Sequence, residues 1–562
     1  MRPSGRLRAL PWALVCAAWA AAACVPGGGR AGAPRLLAAE SDADARVALP
    51  PVPAAAGPLR IAVVYPRPGQ VIAARDSNFI LGSVGKAGAA LTVNGVRVPV
   101  QPNGAFLAFL PVPPGPEPRY ELVATAGAES VRAEVVVRLP PPRPAPADSA
   151  ALADSLVGAD SARSPGAAPR AADSARALAA GSPPPDTLSL VTLGAPDVAA
   201  DSDRVVFGRP TPGGTYKWFF LPGTVARATG RSGDWVRVAL DDVLDAWVSA
   251  EDARPAPFGT ALPRRVARNM RVNPAPGWVD VVIPTGSRPP HQVEEQHRAI
   301  VLTLFGTAGN TDIVQQPGAD PLVREVSWTQ EGRERVRYVV HLARPPYGYL
   351  VLWNGSAVVL RVRRPPAVTA AAPLRGLTIA VDPGHPPAGA TGPTGLYEAV
   401  PTLAVGQRVQ RLLEERGARV VMTRTAADAV ALADRPVMAR RAGAHALVSI
   451  HLNALPDGIN PFAAHGTGTY YFHPQSVPLA RAVQRAMVRR MGLRDLGIYY
   501  DNLAMARPTW MPSVLAEGAF IMIPEQEAAM RTPQYQEAYA RGIVEGLERY
   551  FLGVAAEGSK RR

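Results

Sequence analysis

Hydrophobic and polar residues follow two different rhythms along this chain of 562 residues. From residue 58 to residue 366, outside one Pro- and Ala-rich stretch, short apolar runs are separated by Gly-containing turns, which predicts β-strands. From residue 374 to residue 555, strand-like runs alternate with segments whose apolar residues recur at helical spacing. The sequence therefore predicts a multidomain protein: all-β modules, then a C-terminal α/β domain with a mostly parallel, twisted sheet flanked by helices.

The first predicted module is followed by a segment that cannot fold. Residues 58–139 contain several strand-like runs and the hairpin turn Asn94-Gly95, and they resemble an immunoglobulin-like β-sandwich. Residues 140–200 consist mainly of Pro, Ala, Asp and Ser with few aromatic residues. Such a composition buries too little apolar surface to fold, so we expect a disordered linker.

Two further β-rich modules precede the α/β domain. Residues 203–257 resemble a bacterial SH3-like domain, in which Trp235 and Trp247 suit a core as well as a wall-binding surface. Residues 264–366 resemble a β-rich, envelope-targeting domain. Three histidines of this last module lack acidic neighbours at ligand spacing, so we expect them at its surface or edge: His291, His297 and His341.

The N-terminus has the pattern of an export signal. A basic start precedes the apolar run from Leu10 to Ala23, which is too short to span a bilayer as a mature helix and predicts a signal peptide over residues 1–24. Cys24 follows three alanines and resembles a lipoprotein cleavage site, so lipidation and ordinary cleavage both remain open. Either route predicts an exported protein of the periplasm or cell envelope, and a lipidated Cys24 would attach it to a membrane.

Composition narrows the range of partners. The formal net charge is +14, and an excess of arginine favours anionic partners such as nucleic acid, anionic lipid or acidic wall polymers. The arginines are spread along the chain without a dense basic run, so we expect no nucleic-acid binding.

Chemistry-bearing residues follow three of the predicted strands of the α/β domain. His385, His451 and Glu517 each come directly after a short apolar run. Ligand sites of open parallel sheets form at the carboxyl ends of the strands, so these side chains are expected to converge there. Zinc prefers imidazole and carboxylate ligands. The pattern predicts a metal site.

The third ligand is less clear from spacing alone. Glu398 is the best candidate because it follows a Gly-rich loop at the start of a helix, although an acid there also favours the helix dipole. His465 and His473 are rivals, while His445 precedes its strand and should lie at the opposite edge.

Glu517 and Asn453 suggest further roles at the same edge. A carboxylate such as Glu517 can take a proton from metal-bound water, but it could also be a buried acid paired with Arg507. Asn453 follows His451 by two residues and so points to the same side of a continuing strand, where it could hold a substrate carbonyl or cap the loop.

A set of motifs in order carries a family resemblance over about the last third of the chain. The motifs are Val381-Asp382-Pro383-Gly384-His385, Glu398, Met422-Thr423-Arg424, Leu432-Ala433-Asp434-Arg435, Ser449-Ile450-His451-Leu452-Asn453-Ala454 and Leu515-Ala516-Glu517-Gly518-Ala519-Phe520. They resemble the zinc-dependent N-acetylmuramoyl-L-alanine amidase family. The resemblance implies hydrolysis of peptidoglycan between N-acetylmuramic acid and L-alanine, Zn²⁺ bound by His385, Glu398 and His451, catalysis by Glu517, and room for a protein activator.

One feature departs from the family pattern, and one device that some members carry is expected to be absent. Pro386-Pro387 replaces the usual Gly-Gly after the first histidine; proline lacks an N–H donor, so the loop should differ and some substrate hydrogen bonds should be lost. Some family members plug the site with an extra helix, but the segment between His451 and Thr469 leaves little room for one. We therefore expect no self-blocking of that kind.

The sequence leaves two other hypotheses for the function open. One is a non-catalytic wall-binding lipoprotein with a degenerate amidase domain, which the presence of all three ligands and Glu517 disfavours. The other is a different metallohydrolase, such as a peptidase or deacetylase, whose ligand set would include His465 or His473.

Overall fold

The computed structural model describes residues 48–140, 190–195, 205–316 and 318–559. The predicted signal peptide with Cys24 and most of the predicted linker lie outside the described residues. No helix in the described ranges combines the length and the apolarity needed to cross a bilayer.

The first module consists of two antiparallel sheets that share one core. Its strands are β1 (Ala62–Tyr65), β2 (Ser77–Ser83), β3 (Ala90–Val93), β4 (Val96–Val98), β5 (Ala105–Pro111), β6 (Arg119–Ala126) and β7 (Glu129–Val136). One sheet has the order β1-β2-β5 and the other β4-β3-β6-β7. Asn94 and Gly95 join β3 to β4 with positive φ angles of 47° and 76°, as a tight hairpin turn requires.

The second module begins inside the segment predicted to be a linker. Its strands are β8 (Leu190–Leu193), β9 (Val206–Gly208), β10 (Trp218–Phe220), β11 (Thr224–Ser232), β12 (Trp235–Ala239), β13 (Asp245–Ser249) and β14 (Ala253–Pro255), with a 3-10 turn at Ala250–Asp252. Five of them form a sheet in the order β13-β12-β11-β8-β14. The linker therefore does not reach residue 200: β8 buries Val191 and Leu193 in this module, a four-residue signal hidden by Pro- and Ala-rich surroundings.

Trp235 and Trp247 lie outside the apolar core of the second module. Both are half-buried, and the guanidinium groups of Arg209 and Arg237 lie over their rings at 4.6 Å and 5.7 Å from the ring centroids. Cation–π stacking on the sheet surface accounts for their placement.

The third module is an all-β unit of eleven strands. They are β15 (Arg265–Ala267), β16 (Met270–Pro274), β17 (Trp278–Pro284), β18 (His291–Gln296), β19 (Ala299–Phe305), β20 (Thr307–Gly309), β21 (Val314–Gln315), β22 (Val323–Gln330), β23 (Arg335–Leu342), β24 (Tyr349–Asn354) and β25 (Ala357–Arg363). The main sheets have the orders β21-β16-β17-β25-β24 and β22-β23-β19-β18-β10-β9, and β15 pairs with β20. The expectation of a surface or edge position is wrong for His291, which is 3% exposed because β10 pairs with β18 and Phe219 packs beside it.

The C-terminal domain is an α/β layer structure. Its elements are β26 (Thr378–Pro383), α1 (Ala399–Glu415), β27 (Arg419–Met422), α2 (Asp434–Arg441), β28 (Ala446–Asn453), β29 (Thr467–Tyr471), a 3-10 turn at Pro474–Ser476, α3 (Val477–Met491), β30 (Asp495–Tyr500), β31 (Ser513–Phe520), α4 (Pro524–Met530) and α5 (Pro533–Ser559). The sheet order is β27-β26-β28-β31-β29-β30. Every ladder is parallel except that between β29 and β31, so the sheet is mixed and mostly parallel.

Alternate residues of the central strands face two layers. Val381 and Ile450 pack with α1, α3 and α5, whereas Ala380 and Leu447 pack with α2 and the loop before β31. Because both faces are covered, the central strands are apolar at nearly every position. Strand β30 and helix α4 were not predicted: Gly497 interrupts the apolar pattern of the first, and the second has only seven residues.

Candidate metal centre

Three side chains proposed as ligands lie together at one edge of the sheet. One nitrogen each of His385 and His451 and one oxygen of Glu398 lie within 4.8 Å of one another. Glu398 stands between the imidazoles: its Oε2 is 3.1 Å from His385 Nε2, and its Oε1 is 3.2 Å from His451 Nδ1. These are ligand atoms of the kind that zinc prefers.

The parallel ladder between β26 and β28 brings the two imidazoles together. Pro383 pairs with Ile450, so His385 leaves the end of β26 beside His451, and the two ring centroids are 4.8 Å apart. Gly384 is needed at this crossing, because a Cβ there would lie 2.5 Å from the His451 ring.

The Glu398 carboxylate is held by the backbone as well as by the imidazoles. It is 3% exposed, directly precedes α1, and accepts hydrogen bonds from the N–H groups of Ala390 (3.0 Å) and Leu452 (2.9 Å). Burial raises the pKa of this carboxyl, but the hydrogen bonds and charges of His385 and His451 outweigh burial, and the net pKa is held below its ordinary value. Glu398 is therefore ionised, as a metal ligand must be.

Two arginines fix the loop that carries His385. Arg435 donates to the carbonyl oxygen of Pro386 at 2.8 Å, and Arg424 donates to that of Gly384 at 3.0 Å. His385 has a φ of 60°, a conformation that residues with a side chain rarely adopt. The guanidinium groups thus hold a strained turn at the point where the sequence departs from Gly-Gly.

Asp382 supports the same loop through hydrogen bonds and stands outside the cluster of His385, Glu398 and His451. Its buried carboxylate accepts hydrogen bonds from Thr423 Oγ1, from Ser449 Oγ at 2.5 Å and from Arg435 Nη1 at 2.9 Å. These residues all stand in the motifs noted above, yet spacing alone indicated no role for them.

Glu527, on the unpredicted helix α4, holds the loop that leads to Glu398. Its buried carboxylate accepts from the N–H of Thr394 at 3.0 Å and of Leu396 at 3.1 Å, and from Thr394 Oγ1 at 2.8 Å. Burial raises the pKa of Glu527, and these hydrogen bonds act against that effect. Gly392 fits here because a Cβ would lie 2.6 Å from the Glu527 carboxyl carbon.

The sequence predicted that Glu517 ends its strand, but Glu517 lies within β31. The strand continues to Phe520, and Glu517 is aligned with His451 on β28 and with Gly468 on β29. Aligned residues of neighbouring strands point to the same face, so Glu517 and His451 share one face of the sheet. The small residues after Glu517 suggested that the strand ends there. Gly518 is instead a strand residue that lies against the Tyr539 ring, where there is no room for a Cβ.

Asn453 ends β28 near Glu517. Burial raises the pKa of Tyr470, the Glu517 carboxylate raises it further, and a hydrogen bond from the Asn453 side chain acts in the opposite direction. Tyr470 is therefore close to both residues.

The rival histidines lie elsewhere. His465 Nδ1 is 2.8 Å from Gln526 Nε2, and His473 Nδ1 is 3.4 Å from Glu295 in the third module. His445 lies at the opposite edge of the sheet, as predicted. The segment 454–466 contains no helix, and the absence of self-blocking stays a prediction.

Comparison with known proteins identifies the C-terminal domain. The profile of the N-acetylmuramoyl-L-alanine amidase family matches residues 379–549. The "Uncharacterized protein YqiI" of Bacillus subtilis (strain 168) is 33% identical over 208 residues, which are 36% of this chain and 98% of that protein. The "Probable cell wall amidase LytH" of Staphylococcus epidermidis is 32% identical over 183 residues, which are 32% of this chain and 60% of that protein.

A solved structure also matches part of this chain. The N-acetylmuramoyl-L-alanine amidase from Clostridium difficile 630 is 32% identical to this chain, with a TM-score of 0.29, and the match covers 31% of this chain and 95% of that one.

Proposed function

Since this chain belongs to the N-acetylmuramoyl-L-alanine amidase family, we propose that it hydrolyses peptidoglycan at the amide bond between N-acetylmuramic acid and the L-alanine of the stem peptide. The observation that carries the proposal is the cluster of His385, Glu398 and His451 beside Glu517. The β-rich modules would hold the enzyme on the wall and raise the local substrate concentration. Its place of action would be the cell envelope.

We assign Zn²⁺ to the three-ligand cluster. Two imidazoles and one ionised, buried carboxylate fit a catalytic zinc site, which keeps a fourth position for water or substrate. A bound Zn²⁺ would polarise the scissile carbonyl and lower the pKa of its water to about 7. Arg435, Arg424 and Glu527 would hold the ligands in place through the loops that carry them.

We assign general acid–base catalysis to Glu517. Its carboxylate would take a proton from the attacking water as the water oxygen bonds to the carbonyl carbon. When the C–N bond breaks, Glu517 would return that proton to the nitrogen of L-alanine. The products are the lactyl carboxylate on the sugar and a stem peptide with a free amino terminus. Asn453 is the candidate for holding the substrate carbonyl.

Mass spectrometry of digested peptidoglycan tests the reaction. Purified sacculi are incubated with the zinc-loaded full chain, with Glu517→Ala and, as a control, with Glu537→Ala on α5, whose carboxylate pairs with arginines. We expect free stem peptides that begin with L-alanine from the wild type and the control, and none from Glu517→Ala. Cuts within the stem peptide or loss of acetyl groups would assign another metallohydrolase reaction. No product from the zinc-loaded wild type would favour a non-catalytic wall-binding protein.

A further inference from the structure

In the sheet β1-β2-β5 of the first module, strands β2 and β5 are buried on both faces. Ile80 and Phe106 point into the core of the module, whereas the alternating residues Phe79, Leu81 and Leu107 belong to a second apolar cluster that includes the C-terminal domain. An antiparallel sheet at the surface of a tethered module would carry polar residues at these positions. The first module is therefore packed against the domain that holds the candidate metal centre.

The residues that meet this sheet follow directly on two of the site residues. Phe520 and Met522 come three and five positions after Glu517, and Leu455 comes four positions after His451. The two segments are also joined, since the N–H of Leu455 donates to Met522 Sδ at 3.2 Å. The apolar contact therefore lies directly at the ends of β28 and β31.

Asn78 and Asp457 form a polar latch beside the apolar contact. Asn78 is fully buried; its Nδ2 donates to Asp457 Oδ1 at 3.0 Å, and its Oδ1 accepts from the N–H of Gly458 at 3.1 Å. The Tyr65 hydroxyl also donates to Asp457 Oδ1, and the N–H of Ala73 donates to Oδ2 at 2.7 Å. Every one of these bonds joins the first module to the loop after β28.

A third contact reaches the loop of the remaining ligand. Gln101 Nε2 donates to Glu525 Oε1 at the start of α4. Two residues later, Glu527 holds the backbone of Thr394 and Leu396, which leads to Glu398. The loop after β28, the end of β31 and the start of α4 therefore each contact the first module.

We propose that the first module is a brace for the metal centre, with Asn78 and Asp457 as positioning residues that act through the loop after His451. The metal and the reaction follow the proposed function, whereas the brace concerns only how firmly the ligands are held. Loosening the latch lets the ends of β28 and β31 move, so that His451 and Glu517 no longer stay in the geometry that binding and proton transfer need.

Substitutions at the latch test the brace in the full chain. Asp457→Asn keeps the shape of the side chain but replaces one carboxylate oxygen with an NH2 group, a donor that would face other donors. Asn78→Ser removes the amide. We expect each to raise the zinc Kd, measured by chelator competition, by about tenfold, as supporting residues of metal sites commonly do. We expect kcat to fall with little change in KM. The double variant should be little worse than either single one, because both remove the same contact.

Asn94→Gly is the matched control in the other sheet of the module. It removes the side-chain bonds to Arg119 and Glu121 while keeping the positive φ of the turn, so it lowers the melting temperature without touching the latch. The brace is refuted if both latch variants keep zinc Kd and kcat within about twofold of wild type. If Asn78→Ser does not fold, Asp457→Asn alone decides. Weakened zinc binding in an enzyme that cleaves no amide would support the brace and reject the proposed reaction.

Discussion

The two edges of the catalytic sheet carry the same kinds of residue with different results. Each edge has a histidine in or directly before β28 and a buried arginine that donates to backbone carbonyls. At the carboxyl edge, His451 meets the carboxylate of Glu398. At the amino edge, His445 Nδ1 accepts a hydrogen bond from the N–H of Thr378 at 2.9 Å.

The difference lies in what occupies the imidazole lone pair. Burial and, to a smaller extent, the nearby Arg363 lower the pKa of His445 to about 4, so this ring is neutral and its Nδ1 is committed to the backbone. His451 instead faces the ionised carboxylate of Glu398 and the imidazole of His385, the other two proposed ligands. The partners of each histidine, and not its burial, therefore distinguish the proposed ligand His451 from His445.

Exchanging each histidine for alanine is the strongest test of this comparison. His451→Ala should lose both stoichiometric zinc and amide hydrolysis, because a catalytic zinc site has only three protein ligands. His445→Ala leaves the N–H of Thr378 without its acceptor and should lower the melting temperature but keep zinc. Metal content by plasma mass spectrometry separates the two, and equal zinc loss in both variants would contradict the comparison.

The next largest effect concerns the proton carrier. Glu517→Gln should lower kcat by a factor of about 10² to 10⁴, the usual contribution of general acid–base catalysis, with zinc retained. Kinetics on a soluble muropeptide together with zinc content check this. Glu537→Gln, which loses only ion pairs with Arg408, Arg411 and Arg541, should behave as wild type. Loss of zinc from Glu517→Gln would make Glu517 a ligand instead.

Arg435 at the carboxyl edge and Arg363 at the amino edge provide a matched pair of substitutions with smaller expected effects. Arg435→Lys should weaken zinc binding about 10- to 100-fold, because an ammonium cannot hold Asp382 and the Pro386 carbonyl at once. Arg363, at the opposite edge, donates to the carbonyls of Ala444 at 2.6 Å and Gly443 at 2.9 Å. Arg363→Lys should lower stability alone, and chelator competition would show whether the zinc Kd of that variant differs from wild type.

The smallest expected effect is a dependence of stability on pH at the amino edge. The folded pKa of His445, about 4, lies below its ordinary value of about 6.5, so its contribution to stability is fully present above pH 6.5 and is lost as the pH falls towards 4. Because the ring is partly exposed, we expect about 1 kcal/mol at most. Hydrogen exchange of the Thr378 amide at several pH values measures it.

The matched variant for that titration is His445→Gln. Its side-chain oxygen can accept the same hydrogen bond without titrating, so its Thr378 amide should keep a flat protection profile between pH 6.5 and 4. A wild-type profile as flat as that of the variant would show that His445 does not titrate in this range.

Much of the candidate site could be predicted from the sequence. His385 and His451 follow apolar runs, and parallel strands bring their carboxyl ends to one edge, so local pattern and sheet geometry were enough. Glu398 needed the family resemblance, because an acid before a helix has an equally good local explanation. Glu517 was identified although the end of its strand was misplaced by three residues.

Other features left no readable signal. β8 is a four-residue strand at the end of a stretch with a linker composition, and α4 is too short for helical periodicity. The apolar outer face of β2 and β5 was visible as sequence, but a continuous apolar run says only that both faces are covered, not by what.

The sequence by itself determined which residue types stand at the ends of the central strands and so the class of ligand that the edge can offer. Tertiary structure alone decided how those ligands are held. Glu527 and Thr394 are 133 residues apart, and Asn78 and Asp457 are 379 apart. Periodicity and turn signals act over a few neighbouring residues, whereas these contacts exist only once distant segments have packed together.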